Sequence, residues 1–210
     1  MASDNPNATV RLFVAIPVPK PVRDELIRAT QELRRLDERN RVRWTPPKQF
    51  HLTLKFLGEV AVARVEALKA GLSEVVTVNP GLNLRVCGLG VFPNASQPRV
   101  LWAAVHESTG GLVELQRRIE DALLSLTPEI RAEPFVGHVT LGRIKIFRAA
   151  EMKNLQTATA EMPERDFGTW RADAVELIRS ELAAEGARHT PMAAFRLPGP
   201  PLNDSACGGP

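Results

Sequence analysis

The sequence predicts an α+β fold of two pseudo-twofold-related lobes, each an antiparallel sheet with helices packed outside, and a candidate active-site cleft between them. Three observations carry this. The pattern His-x-Thr-Leu occurs twice, as His51-Leu52-Thr53-Leu54 and His138-Val139-Thr140-Leu141. The order strand, helix, His-x-Thr strand, helix, strand also occurs twice. The offset between the copies is nearly constant: first strands start at 11 and 99, the histidines lie at 51 and 138, and third strands start near 82 and 171, which is 88, 87 and 89 residues. A fixed internal offset is the signature of a structural repeat.

The elements follow in order. Arg11 to Ile16 is a buried strand ended by Pro17 and Pro19. A helix runs from about Lys20 to Asn40, with Pro21 in its first turn and Val22, Leu26, Leu33 and Leu36 at helical spacing. Arg41 to Pro47 is a loop containing Trp44. The first His-x-Thr strand spans about Phe50 to Leu57, closed by Gly58. Val62, Val65, Leu68, Leu72 and Val75 form one stripe of a helix over about 61–76. After a turn at Asn79-Pro80-Gly81, alternation of Leu82, Leu84 and Val86 marks a half-buried strand ending near Phe92.

The loop Pro93 to Pro98 divides the chain and the order restarts. Arg99 to Val105 is a strand, and a helix over about 111–126 carries Leu112, Leu115, Ile119, Leu123 and Leu126 on one face. Pro128 to Pro134 is a loop, the second His-x-Thr strand covers Phe135 to Ile146, and a weaker helical pattern covers Ala149 to Ala160. A last strand pattern runs from Trp170 to Leu182, with Ala193 to Leu197 as a short extra strand. These make one bilobal domain over 10–197, with repeats at about 11–92 and 99–182. Residues 1–9 and the Pro- and Gly-rich 198–210 read as disordered ends.

Composition narrows the class. Of 210 residues, 44% are hydrophobic and 24% charged, which is an ordinary globular balance and excludes an unfolded chain. Two cysteines, Cys87 and Cys207, exclude a disulfide framework and a cysteine zinc site. The longest apolar stretch, Leu12 to Val18, is too short to cross a bilayer and contains a proline. No leader pattern precedes it. A cytoplasmic protein with no membrane partner is therefore expected. A net charge of +3 argues only weakly for a polyanionic partner.

In a strand, residues i and i+2 share a face. Each motif thus presents an imidazole beside a hydroxyl, with its aliphatic residues turned to the core. Two facing imidazoles divide general acid and general base work, because an unperturbed imidazole pKa of about 6.5 lies near operating pH. Threonine hydroxyls suit phosphate oxygens. One His on a strand is most simply a hydrogen-bonded structural residue, but two at a repeat offset are poorly explained that way. Zinc needs three or four ligands, and neither motif brings a carboxylate or Cys to the same face, so no metal and no cofactor are assigned. No Gly-x-Ser-x-Gly and no Gly-rich phosphate loop is present. Two details stay open. Arg143 lies five residues after His138, which by alternation faces it away, unless a bulge at Gly142 turns it inward. Phe13 and Trp44 are candidates to stack on a base or ribose.

The chain resembles the 2H phosphoesterase superfamily and, within it, the RNA 2′,3′-cyclic phosphodiesterases, also called 2′-5′ RNA ligases. The likeness covers roughly residues 10–197. It rests on Arg11 to Ile16, His51-Leu-Thr-Leu-Lys-Phe-Leu-Gly-Glu59, Arg99-Val-Leu-Trp102, Phe135-Val-Gly-His-Val-Thr-Leu-Gly-Arg143, Leu177 to Ser180 and Phe195-Arg-Leu197. The resemblance implies metal-independent hydrolysis of RNA 2′,3′-cyclic phosphate ends, tRNA fragments among them, to 2′-phosphates. It also implies a weak reversible 2′-5′ end-joining, and a monomer is expected. It implies His51 as proton donor, His138 as proton acceptor, Thr53 and Thr140 as holders of the phosphate oxygens, and Arg143 in the site. Two positions depart from the family: Gly137 where Pro is usual, and His189 where Tyr is usual, the latter expected to have no direct role in chemistry. Arg41, Arg43, Lys48 and Lys55 flank the first motif as candidate backbone contacts. Two other readings stay open: a non-catalytic module that binds nucleotides or RNA ends, and a 2H enzyme for another cyclic nucleotide or for 2′-5′ oligonucleotides.

Overall fold

A computed structural model describes residues 8–127, 134–145, 164–183 and 186–199, together with Lys153, Thr157, Thr159 and Met162. The expected disordered ends, the loop at 128–134 and the helical segment at 149–160 fall largely outside these residues. Within the last, Lys153, Thr157 and Thr159 are helical.

The first repeat supplies β1 (Thr9–Pro17), α1 (Lys20–Leu36), β2 (Val42–Trp44), β3 (His51–Ala61), α2 (Val65–Val76) and β4 (Leu82–Phe92). The second supplies β5 (Val100–His106), α3 (Gly111–Leu123), β6 (His138–Ile144), β7 (Asp166–Ala172), β8 (Ala174–Ala183) and β9 (Gly186–Arg196). Helix α1 stops four residues before the expected Asn40. The buried Asp37 carboxylate accepts hydrogen bonds from the Arg41 and Val42 amides at 2.7 and 3.0 Å and turns the chain back. The last expected strand is two strands, β7 and β8, and the short strand near 193–197 is part of the longer β9. Pro191 hid β9 from alternation, and an edge strand tolerates it because one side of its backbone has no ladder to complete.

All strands join one antiparallel sheet in the order β7-β4-β5-β6-β3-β1-β8-β9, with β2 on β6. The two sheets expected from the repeats are thus two halves of one sheet, meeting at β6 and β3. The halves are not contiguous in sequence. The third strand of the first repeat, β4, pairs with β5 of the second, while β8 pairs with β1 of the first. Each repeat therefore completes the other's half.

One face of the sheet packs on the helices. Leu12, Val14 and Ile16 of β1, Leu52, Leu54 and Leu57 of β3, and Val139 and Leu141 of β6 share a core with Val22, Leu26, Ala29 and Leu33 of α1, Leu68, Leu72 and Val76 of α2, and Leu112, Leu115, Ile119 and Leu123 of α3. Burying a side chain of this size stabilises the fold by roughly 1.5–3 kcal/mol before entropy is counted. The opposite face carries a separate small cluster of Phe13, Ala15 and Ile178. No helix among the described residues is long and apolar enough to cross a membrane.

Candidate active site

Strands β3 and β6 share a single rung, Leu52 with Val139. Both side chains are fully buried on the helix face. One step either way along this antiparallel register sets His51 opposite Thr140 and Thr53 opposite His138. The four side chains are half-buried on the open face. Beyond this rung β3 leaves β6, and β2 takes over the vacated edge, pairing Val42, Arg43 and Trp44 with Ile144, Arg143 and Gly142.

The two histidines have matching supports. His138 Nδ1 lies 2.8 Å from the Val136 carbonyl. A carbonyl only accepts, so Nδ1 carries the proton and the neutral ring keeps its Nε2 lone pair for an incoming proton. His51 likewise hydrogen-bonds the backbone of Gln49, also two residues upstream. Each ring also rests on aromatic neighbours. His51 lies 4.8 Å from Phe13. His138 lies 5.0 Å from Phe92, edge-on, and 6.1 Å from Trp102, which itself stacks on Phe92 at 4.7 Å.

The electrostatics centre on His51. Burial, and next the neighbouring His189, push its imidazole down to about 4; the Gln49 bond raises it and His138 lowers it further. His189 stands edge-on to His51 at 5.3 Å and to Phe13 at 4.9 Å. Burial lowers its pKa as well. The Gln49 side chain donates to the Ala187 carbonyl and ties the start of β9 to the entry of β3. The sequence marks His189 only as a departure from the family's usual Tyr; the structure places it beside His51, a contact that periodicity does not show because β9 is the edge strand, two strands beyond β1.

Arg143 lies on the same face of the sheet as the two motifs. Leu101 pairs with Gly142 and Trp102 with Thr140, so Leu141 is an extra residue, a bulge that shifts alternation by one. Gly142 then sits on the core face, where a Cβ would come within 2.5 Å of Val42 Cγ1, and Arg143 joins the face of His138 and Thr140. The mirror bulge is at Leu54, since Ala15 pairs with Thr53 and Val14 with Lys55. Lys55 is therefore turned into the core, 4% exposed, and paired with Glu120 of α3. That corrects its reading as an RNA contact. The residue that follows, Phe56, is the counterpart of Arg143, and it is 54% exposed on the open face opposite Phe13.

The stacking expectations for Phe13 and Trp44 are corrected. Phe13 is on the right face, but at 3% exposure its ring has no free side and props His51 instead. Trp44 shares the core face with Gly142 and packs against the main core. Gly137 also has a local cause: a Cβ there would lie 2.8 Å from the Val105 carbonyl oxygen. Glu176 pairs with Ala15, which pairs with Thr53, so its carboxyl lies on the open face; burial raises its pKa. Among the described residues no group of three or more His, Cys, Asp or Glu could hold a metal. His106, outside the site, hydrogen-bonds the Cys87 carbonyl at 3.1 Å.

Residues 16–102 match the model of the LigT-like phosphoesterases. The chain is 30% identical to an RNA 2′,3′-cyclic phosphodiesterase of Aquifex aeolicus, over 90% of this chain and 98% of that one. It is equally similar to the enzyme of that name from Methanothermobacter thermautotrophicus, over 90% and 99%. Among solved structures, TT0787 of Thermus thermophilus superposes with a TM-score of 0.74 at 29% identity, over 89% of this chain and 97% of that one. E. coli LigT complexed with 3′-AMP gives 0.74 at 24% identity, over 90% and 99%, and shares the fold. With its two His-x-Thr strands joined at one rung, the chain belongs to the LigT-like phosphoesterases of the 2H superfamily, in the RNA 2′,3′-cyclic phosphodiesterase family.

Proposed function

We propose that the chain hydrolyses 2′,3′-cyclic phosphate ends of RNA to 2′-phosphates. The observation that carries this is the Leu52–Val139 rung, which sets each histidine across from the other motif's threonine on one open face. The names of the relatives support the substrate class. His138, with its proton held on Nδ1 by Val136, takes a proton from water on Nε2. The water oxygen attacks phosphorus, the P–O3′ bond breaks, and His51 gives its proton to the departing 3′-oxygen. The products are a 2′-phosphomonoester and a 3′-hydroxyl. His51 rests neutral near pH 7, and the negative phosphate draws a proton onto it, so the acid is made by substrate binding. Thr53 and Thr140 hold the non-bridging oxygens of the cyclic phosphate, and Arg143 binds substrate phosphate from the same face.

With a 5′-hydroxyl in place of water as the nucleophile, the same acid–base exchange breaks P–O3′ and joins ends through a 2′-5′ bond; run backwards, it cleaves that bond to the cyclic phosphate and a 5′-hydroxyl. The stacking role expected of Phe13 and Trp44 passes to Phe56, whose ring is free on the His51 side. No step requires a metal. Ends of cleaved tRNA are a fitting substrate, with the chain acting as a monomer in the cytoplasm.

The test is product analysis on an RNA oligonucleotide ending in a 2′,3′-cyclic phosphate, in EDTA. A 2′-phosphate product, lost in both His51→Ala and His138→Ala, is expected. Turnover that stops with the chelator, or that survives in both variants, overturns the mechanism.

A further inference from the structure

Strand β2 does more than cover an edge. Its register places Arg43 directly opposite Arg143. Val42 is buried in the core and Trp44 packs against it, so Arg43, between them, points to the open face. Arg143 reaches the same face through the bulge at Leu141. Both are exposed, and neither has a carboxylate partner among the described residues. Like charges directly opposite on a sheet are destabilising, so the fold itself gains nothing from this pair. Two planar guanidiniums on one face, beside Thr140, form a fork suited to the oxygens of a phosphate.

We propose that Arg43 and Arg143 together grip a second phosphate of the substrate, the internucleotide phosphate on the 5′ side of the terminal nucleotide. This rests on the RNA-end reading above. The cyclic phosphate lies between the two motifs, and the next phosphate along the chain falls to the β2–β6 end of the face. Phe56, the pseudo-twofold counterpart of Arg143, puts an aromatic ring at the matching position of the other half. The cleft is thereby polar along its length, and it favours RNA ends over mononucleotides, which lack that phosphate.

The experiment compares kcat/KM for a dinucleotide ending in a 2′,3′-cyclic phosphate with kcat/KM for a mononucleoside 2′,3′-cyclic phosphate, in wild type and in R43Q and R43K. The ratio of the two falls about ten-fold in R43Q, because one charge-assisted contact is lost, and R43K restores part of it. In R43Q the salt dependence for the dinucleotide flattens by about 0.7 in the log–log slope. Thermal stability of R43Q without substrate equals or exceeds wild type, which a structural role for Arg43 does not give. An unchanged ratio in R43Q overturns the proposal while leaving the reaction in place. Wild type that turns over neither substrate overturns the RNA-end reading and this proposal with it.

Discussion

Leu52 of β3 and Val139 of β6 form the one rung between the two halves of the sheet, and both are buried beneath the open face that carries His51, Thr53, His138 and Thr140. The position of that rung sets which imidazole meets which hydroxyl. A slip of β3 by one residue would turn His51 and Thr53 into the helix core and leave His138 and Thr140 alone on the open face.

From this arrangement, His51→Ala and His138→Ala each lower kcat by ~10²–10⁴ on a cyclic phosphate substrate. T53V and T140V lower kcat/KM by about 10–100-fold, the effect of losing a hydrogen bond to a charged oxygen. Steady-state kinetics with circular dichroism as a folding control check both.

The depressed His51 pKa fixes the sign of two pH effects. A cyclic phosphate diester keeps one negative charge across pH 5–7, so any change in its affinity reports the protein. Its affinity for H138A, which holds it without turnover, rises as pH falls from 7 to 5, because binding brings a proton to His51. Isothermal titration with H51Q/H138A shows the slope removed. Stability moves the other way. The neutral ring is favoured in the fold, so its contribution is complete above about pH 6.5 and is lost as pH falls toward 4, by up to about 3 kcal/mol. Urea titrations give a flatter profile over that window for H51Q.

Phe56→Ala raises KM for a nucleoside 2′,3′-cyclic phosphate about ten-fold, while F56W retains it, as expected when a base stacks on an exposed ring. Initial rates over a substrate series decide it.

The Lys55–Glu120 pair joins β3 to α3 inside the core. Removing one partner strands a buried charge, so Glu120→Ala costs about 3 kcal/mol in denaturant unfolding. The double change K55M/E120L is close to neutral, and neither set alters the salt dependence of catalysis.

Gly142→Ala forces a Cβ against Val42 and pushes β2 and Arg143 off the face. A loss of about 1–3 kcal/mol and a raised KM are expected. Val42→Ala in that background recovers part of both.

The paired motifs, the constant offset and the core stripe of each helix are local features, and periodicity alone reads them. His51, His138, Thr53 and Thr140 came from the same source. Strand partners are another matter, because alternation says which face a residue takes and nothing of which strand lies beside it. That is why the exchange of β4 and β8 between the halves was hidden. Parity also fails past a bulge. Leu54 and Leu141 each shift it by one, and this reversed the reading of Lys55, left Arg143 open and concealed Phe56. His189 reaches His51 from an edge strand interrupted by Pro191, so the family comparison marks the position while alternation does not show the contact.

The crossed third strands have a consequence for synthesis on the ribosome. Strand β1 is flanked by β3 on one side and β8 on the other, with Leu12 against Arg179. Until β8 is made, the apolar run Leu12 to Ile16 has a free edge awaiting a partner more than 160 residues downstream. A nascent chain in that state is open to pairing with the wrong strand or with a neighbour's. The sheet closes only when β8 emerges, so the catalytic face is completed by a strand made more than 120 residues after the first His-x-Thr motif.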